Sequence, residues 1–205
     1  LEAFLRRNRN ISWEKLSFQE DDHPAVNVTW EVAVAFCEWL TEEEREKGMI
    51  GENQRYRLPS DHEWSCAVGI GKDEDASLTP EQKDQGIKEI YPWGRRWPPP
   101  RGAGNFLGEE AEQNSGPNKR FLEGYEDDFE QTAPVGSFEP SDEGLYDLSG
   151  NAIEWCQELY SPTKSHHALR GGHWDAGFAG AFYSSDRWNL RPGYHVIGFR
   201  CVLSE

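Results

Sequence analysis

The chain has 205 residues, with 21 Lys plus Arg against 37 Asp plus Glu, a formal net charge of −16. A field of that sign repels phosphate backbones and anionic lipid, which argues against nucleic acid as a partner. No apolar run reaches the roughly 20 residues of a membrane span.

Hydrophobic residues make up only 36%, yet there are nine Trp, ten Phe and seven Tyr. Aromatics bury large areas each and can hold a loop-rich fold together, so disorder is excluded. Twenty Gly and twelve Pro predict many turns and few long elements. A single domain spanning 1–205 fits this length.

In chain order, Leu1 to Leu5 reads as the inside of an amphipathic helix. His23 to Val28 is extended, and Thr29 is the predicted N-cap of a helix, with Glu31 favoured by the helix dipole. Trp30, Ala33, Val34, Cys37 and Leu40 recur at helical spacing, with Phe36 and Trp39 widening the stripe, and Gly48 ends it. Tyr56 to Pro59 is extended. Ser60 and Glu63 form a capping box that opens a second helix to about Val68. Residues 69–90 are acidic and Gly-interrupted, the pattern of an insertion loop, in which Thr79-Pro80 opens a short helix. Trp97-Pro-Pro-Pro-Arg101 is a rigid turn region. From Gly144 onward, short apolar runs separated by turns predict paired strands, closing with Val196 to Leu203.

The four cysteines, at 37, 66, 156 and 201, include no Cys-x-x-Cys pair, which argues against a zinc knuckle or a thioredoxin-like motif. They are too few for a disulfide scaffold and read as buried thiols, with a single bridge left open. His166, His167 and His173 have no carboxylate at facial-triad spacing and read as solvated or hydrogen-bonding side chains. No nucleophile-elbow motif accompanies the serines, so no residue is assigned a catalytic role.

Six motifs together carry a resemblance. They are Tyr56-Arg-Leu-Pro…Trp64, Tyr91-Pro-Trp-Gly94, Thr132-Ala-Pro-Val-Gly-Ser-Phe138, Gly144-Leu-Tyr-Asp…Trp-Cys156, Leu169-Arg-Gly-Gly-His-Trp174 and Ile197-Gly-Phe-Arg-Cys201. In these the chain resembles the formylglycine-generating enzyme (sulfatase-modifying factor) family. The resemblance implies an α+β C-type lectin-like fold of two helices, short antiparallel sheets and many loops. It implies a further strand-containing segment before Leu1 and allows Cys37 to pair with Cys201. Family enzymes hold Cu(I) between two cysteines just beyond the Arg-Gly-Gly, but Asp175 to Tyr183 contains none. No copper or iron is therefore expected.

The resemblance also implies structural calcium, which needs six to eight oxygen ligands. One set comprises the side chains of Asn105 and Asp127 with the carbonyls of Phe106 and Phe129. A second comprises Asp147 and Glu154 with the carbonyls of Gly150 and Ala152.

The segment 173–195 has the composition of a paratope, in which Tyr and Trp give area at small entropic cost and short polar residues give adaptable hydrogen bonds. Its candidate contact residues are His173, Asp175, Gly177, Phe178, Tyr183, Asp186, Trp188, Asn189, Leu190, Tyr194 and His195, with Trp174 and Phe199 assigned to the core. Variable proteins of diversity-generating retroelements, built on the same fold, randomise exposed positions of this segment. The expectation is a non-catalytic module that binds a protein or glycan, with Trp188 and Tyr194 exposed enough to be removed without loss of stability. The alternatives are a metal-dependent oxidoreductase of the family and a docking domain of a larger protein.

Overall fold

The computed structural model describes residues 1–114, 120–191 and 194–205. Four α-helices precede the main sheet: α1 (Glu2–Arg7), α2 (Trp30–Glu46), α3 (Asp61–Ala67) and α4 (Pro80–Lys83). The strands are β1 (Arg55–Arg57), β2 (Ile153–Leu159), β3 (His167–Arg170), β4 (Ile197–Gly198) and β5 (Val202–Ser204). Apart from two 3-10 turns, most of the remaining described residues are irregular, as the glycine and proline content predicts.

The caps fall where the sequence puts them. Thr29 accepts a hydrogen bond from the Val32 N–H at 3.3 Å. Ser60 and Glu63 satisfy each other's backbone donors at 2.8 and 3.0 Å, and Thr79 with Gln82 repeats the device at α4. Such a cap is worth about 1 kcal/mol over alanine. Here each also sets where a buried helix face begins.

Two small sheets join distant stretches of the chain. β1 pairs antiparallel with β5. β2 is the centre of the other sheet, with β3 antiparallel on one side and β4 parallel on the other. The parallel pair departs from the all-antiparallel expectation. The chain leaves β3, runs through residues 171–191 with a single 3-10 turn at Ala179–Phe182, and at β4 runs in the direction of β2. The run predicted as one closing strand is interrupted, β4 covering 197–198 and β5 covering 202–204.

The main core lies between α2 and the β2 sheet. Trp155, Ile153, Leu169 and Ile197 are essentially inaccessible, joined by Val28, Leu58 and Trp174. The Trp155 indole donates to the Val28 carbonyl at 2.8 Å, so its one polar atom is satisfied. Truncating a buried side chain of this size to alanine costs about 3–5 kcal/mol. A second, aromatic cluster centres on Tyr91, Phe106, Tyr125 and Phe182. Cys37 and Cys201 bring their sulfurs to 3.4 Å, and the contact with Cys201, together with burial, pushes the Cys37 thiol up and keeps it protonated. Cys156 is buried, whereas Cys66 is exposed, contrary to a reading of all four as buried thiols.

The acidic insertion is less of a free loop than its composition predicts. Asp61, at the start of α3, receives Arg170 at 2.6 Å and Arg187 at 2.9 Å, and is also paired with Lys83 of α4. Arg187 makes a second, forked contact with Glu74 at 2.6 and 2.9 Å. All five side chains are at least 95% buried. Glu74 and Lys83 come from the insertion, so buried charge docks it onto α3 and the segment after β3.

Candidate functional site

The candidate face begins where β3 ends. Gly171 and Gly172 both have φ in the left-handed region, at +102° and +66°. A β-carbon on Gly172 would press into Phe182 and the Ala181 carbonyl, so only glycine lets the strand turn this tightly into the irregular segment. The segment is then pinned repeatedly. Trp174 N–H donates to the Asn151 carbonyl at 3.1 Å and the Ala176 carbonyl accepts from Leu107 N–H at 3.0 Å. Ser184 N–H donates to Ile90 at 2.7 Å, and Trp188 exchanges two backbone bonds with Leu169 at 3.0 Å. Backbone fixed this densely presents its outward side chains without a large ordering cost on binding.

The eleven candidate contact residues separate into groups. Phe178, Asn189, Tyr194 and His195 are exposed, Phe178 at 44% and Tyr194 at 46%. Asp175, Tyr183, Trp188 and Leu190 are half-buried. Trp188 packs on both the main core and the aromatic cluster, with Phe178 at 6.2 Å and His173 at 5.5 Å between ring centroids. His195 lies 5.4 Å from the Trp174 ring and 3.9 Å from the Asp175 carboxylate. Two patches result, one around Phe178 and Trp188 and one around His195 and Asp175.

Three of the residues are placed inward. His173 is 8% exposed. Gly177 lies with its backbone against the Arg120 carbonyl, where any β-carbon would collide. Asp186 is buried, accepting from Gln85 at 2.9 Å. Burial, with Asp84 nearby, holds its carboxyl up to about 6, against the opposing pull of Gln85 and Arg170. The packing of Trp188 corrects the expectation that it can be removed freely, because truncation would open both clusters. Tyr194 and Phe178 are the clean probes of the surface.

Both side chains of the first calcium set, Asn105 and Asp127, are buried. Asn105 is fully buried, its amide N–H donating to the Gln131 carbonyl at 2.6 Å while its Oδ1 has no hydrogen-bond partner. Asp127 accepts from the Phe106 and Phe129 N–H groups at 2.7 and 3.0 Å. Burial, with Glu110 adding repulsion, holds its carboxyl up to about 7. An Oε2 of Glu110 is also buried without a partner. Sequence reasoning missed this residue because it lies outside the family's ligand motif. Unpaired oxygens and a carboxylate reluctant to ionise are what a hard cation would relieve.

The second set is arranged differently. Glu154 is held by Arg200 at 2.5 and 2.7 Å and by the Trp64 indole at 3.1 Å. Asp147 accepts from Gly136 N–H at 2.8 Å. Gly150 has φ of +75°, with a β-carbon blocked by the Asn105 carbonyl, and Ala152 is buried. A guanidinium already neutralises Glu154, whereas burial raises the Asp147 carboxyl above its ordinary value and its Oδ1 has no hydrogen-bond partner. Among the described residues no three His, Cys, Asp or Glu side chains form a metal-binding group. His167 stacks on Trp30 at 3.8 Å and bonds the Gln157 carbonyl.

The fold and the glycine-turned C-terminal segment define a C-type lectin-like domain of the formylglycine-generating-enzyme type. The chain belongs to the sulfatase-modifying factor enzyme 1-like domain family, whose model matches residues 5–205. It is 30% identical over 194 residues to inactive C-alpha-formylglycine-generating enzyme 2 of Mus musculus, covering 88% of this chain and 49% of that protein. It is 31% identical over 152 residues to formylglycine-generating enzyme of Bos taurus, covering 72% of this chain and 29% of that protein. The chain thus spans half or less of these relatives. Among solved structures, Treponema denticola variable protein 1 superposes with a TM-score of 0.54 at 20% identity, over 93% of this chain and 74% of that one. Among the described residues no helix is long and apolar enough to cross a membrane.

Proposed function

We propose that this domain is a non-catalytic binding module that recognises a protein or glycan surface through the exposed part of residues 173–195. The observation that carries the reading is a segment pinned at its backbone yet carrying Phe178, Asn189, Tyr194 and His195 outward. The lack of any cysteine between Asp175 and Tyr183 supports it, as does likeness to one relative named inactive and to one named a variable protein. Retroelement diversification is a further part of this proposal. It predicts population variation at Asp175, Tyr183, Trp188 and His195 with Gly171, Gly172, Trp174 and Gly198 fixed. A uniform segment in deep sequencing of codons 165–205 removes that part alone.

The test of binding starts with the unaltered domain on a glycan array and a surface-protein array. Phe178→Ala combined with Tyr194→Ala should then weaken capture of any hit by about tenfold or more, since aromatic anchors dominate such contacts. The melting temperature should move by less than about 2 °C, because surface substitutions are near neutral. Undiminished capture by the double variant would refute the assignment of this face, and no hits at all would refute the binding module.

Calcium belongs to the same proposal, as a structural ion held by Asn105 and Asp127 with the carbonyls of Phe106 and Phe129. It would pin a loop region that has little regular hydrogen bonding. Adding calcium at 100 times its dissociation constant should stabilise the domain by about 2.7 kcal/mol, and chelator should reverse the gain. An unchanged melting temperature, with no calcium in the purified protein by elemental analysis, rules the ion out.

A further inference from the structure

Apart from the C-terminal face, the molecule has a cleft of about 570 Å³, inside the range of roughly 300–1,000 Å³ typical of small-molecule sites. No residue of 173–195 lines it. The end of α3 and the turn Tyr91 to Gly94 contribute one part of its lining, and residues 138–149 most of the rest. Three features of that lining set the chemistry of an occupant.

The first is charge. Asp73, Glu139, Asp142 and Glu143 line the cleft and are exposed, and among the described residues none of them makes an ion pair. No Lys, Arg or His lines the cleft at all. In a chain of net charge −16 this concentrates a negative potential in a concave, partly apolar space, which raises the local concentration of cations.

The second is an aromatic wall. Trp93 lies flat on Tyr91, with centroids 4.8 Å apart and planes within 4°. Its indole N–H is already given to the Arg96 carbonyl at 2.9 Å, so what Trp93 offers an occupant is ring surface. An indole ring attracts organic cations through its quadrupole.

The third is Ser149, 4% exposed, a lining residue whose hydroxyl has no hydrogen-bond partner. A buried hydroxyl left unpaired is costly, and an occupant with a polar group would satisfy it. A merely solvated acidic surface would show neither the stacked rings nor the unpaired hydroxyl.

We infer that this cleft is a binding site for a small organic cation, an alkylammonium or guanidinium compound with an apolar body. The cationic head sits among the four carboxylates, the body lies on the Trp93 ring, and a polar substituent reaches Ser149. Cys66 lines the same cleft and is exposed, which supplies a local reporter.

The experiment uses the full chain and two probes, choline and Nα-acetylargininamide. Each is compared with its uncharged isostere, 3,3-dimethylbutan-1-ol or Nα-acetylcitrullinamide. Iodoacetamide labelling of Cys66 is read by peptide mass mapping. At least one cation should slow labelling saturably by about fivefold or more while its isostere does not, because the charge is the recognised feature. Combining Glu139→Gln, Asp142→Asn and Glu143→Gln should raise the concentration needed by about tenfold. The proposal is overturned by equal protection from an isostere, by no protection from either cation, or by protection that the triple variant leaves intact.

Discussion

Asp61→Asn should lower the stability of this domain by about 3–5 kcal/mol, the cost of removing one partner from a buried ion cluster. The substitution keeps the shape of the side chain and deletes its charge. Arg170, Arg187 and Lys83 would then remain buried around one neutral amide, with Glu74 as the surviving fully buried carboxylate. Burial alone would raise the Asp61 carboxyl. The charges of Arg170, Arg187 and Lys83 outweigh that and hold it well below the ordinary carboxylate range. Its contribution is therefore fully present above the unfolded value near 3.8 and disappears as pH falls through the folded one. The contrast is Glu63→Gln, which removes a forked pair with Arg57 whose glutamate side chain is 44% exposed; an exposed pair of that kind is worth only about 0–1 kcal/mol. Denaturant unfolding of the two variants at pH 7 makes the comparison. A loss below about 1 kcal/mol for Asp61→Asn would mean the cluster relaxes or hydrates without its centre.

Asp186→Asn should act in the opposite direction, stabilising the domain at pH 7.5 by roughly 1–3 kcal/mol while changing little near pH 4. The fold holds this carboxyl up to about 6, above its ordinary value of 3.8. Burial is the main cause. Asp84 adds repulsion, while the Gln85 amide and Arg170 oppose it. Between those two values the unfolded chain has released its proton and the folded chain retains it. The unfolded state therefore gains relative to the folded one as pH rises, and the loss is complete above about 6. Asparagine has no proton to release. Unfolding free energies of the parent and the variant, measured from pH 4 to 8, should diverge with rising pH. Parallel curves would show that Asp186 ionises freely.

Local chemistry was legible in the sequence wherever a short motif fixes backbone geometry. The Thr29 cap, the Ser60–Glu63 box, the Thr79-Pro80 start and the Gly48 stop all depend on residues within four positions of one another. Long-range charge pairing was not legible. Nothing local to Arg170 or Arg187 marks either as buried; their shared carboxylate partner, Asp61, lies 109 and 126 residues earlier. The insertion looked free because its acidic composition hides two residues, Glu74 and Lys83, whose charges are consumed inside. The face 173–195 was legible as a composition but not as a surface, since period and propensity say nothing about which side chains of an irregular segment point inward. That is why Asp186, Gly177 and His173 were grouped with Tyr194. The acidic cleft gave no signal at all, its lining being drawn from four separate stretches of chain.

The pairing of β1 with β5 bears on how the protein is made. Arg57 bonds to Ser204 across 147 residues, and Val28 accompanies β4 through the Ile197 carbonyl. During vectorial synthesis α2 and β1 leave the ribosome with their apolar faces uncovered and wait until a partner strand 147 residues further on has emerged. Closing contacts of such separation fold slowly. The nascent chain would meanwhile offer Trp30, Phe36 and Trp39 to chaperones, and the acidic stretch between residues 69 and 90 would help keep it dispersed until its partner strand arrives.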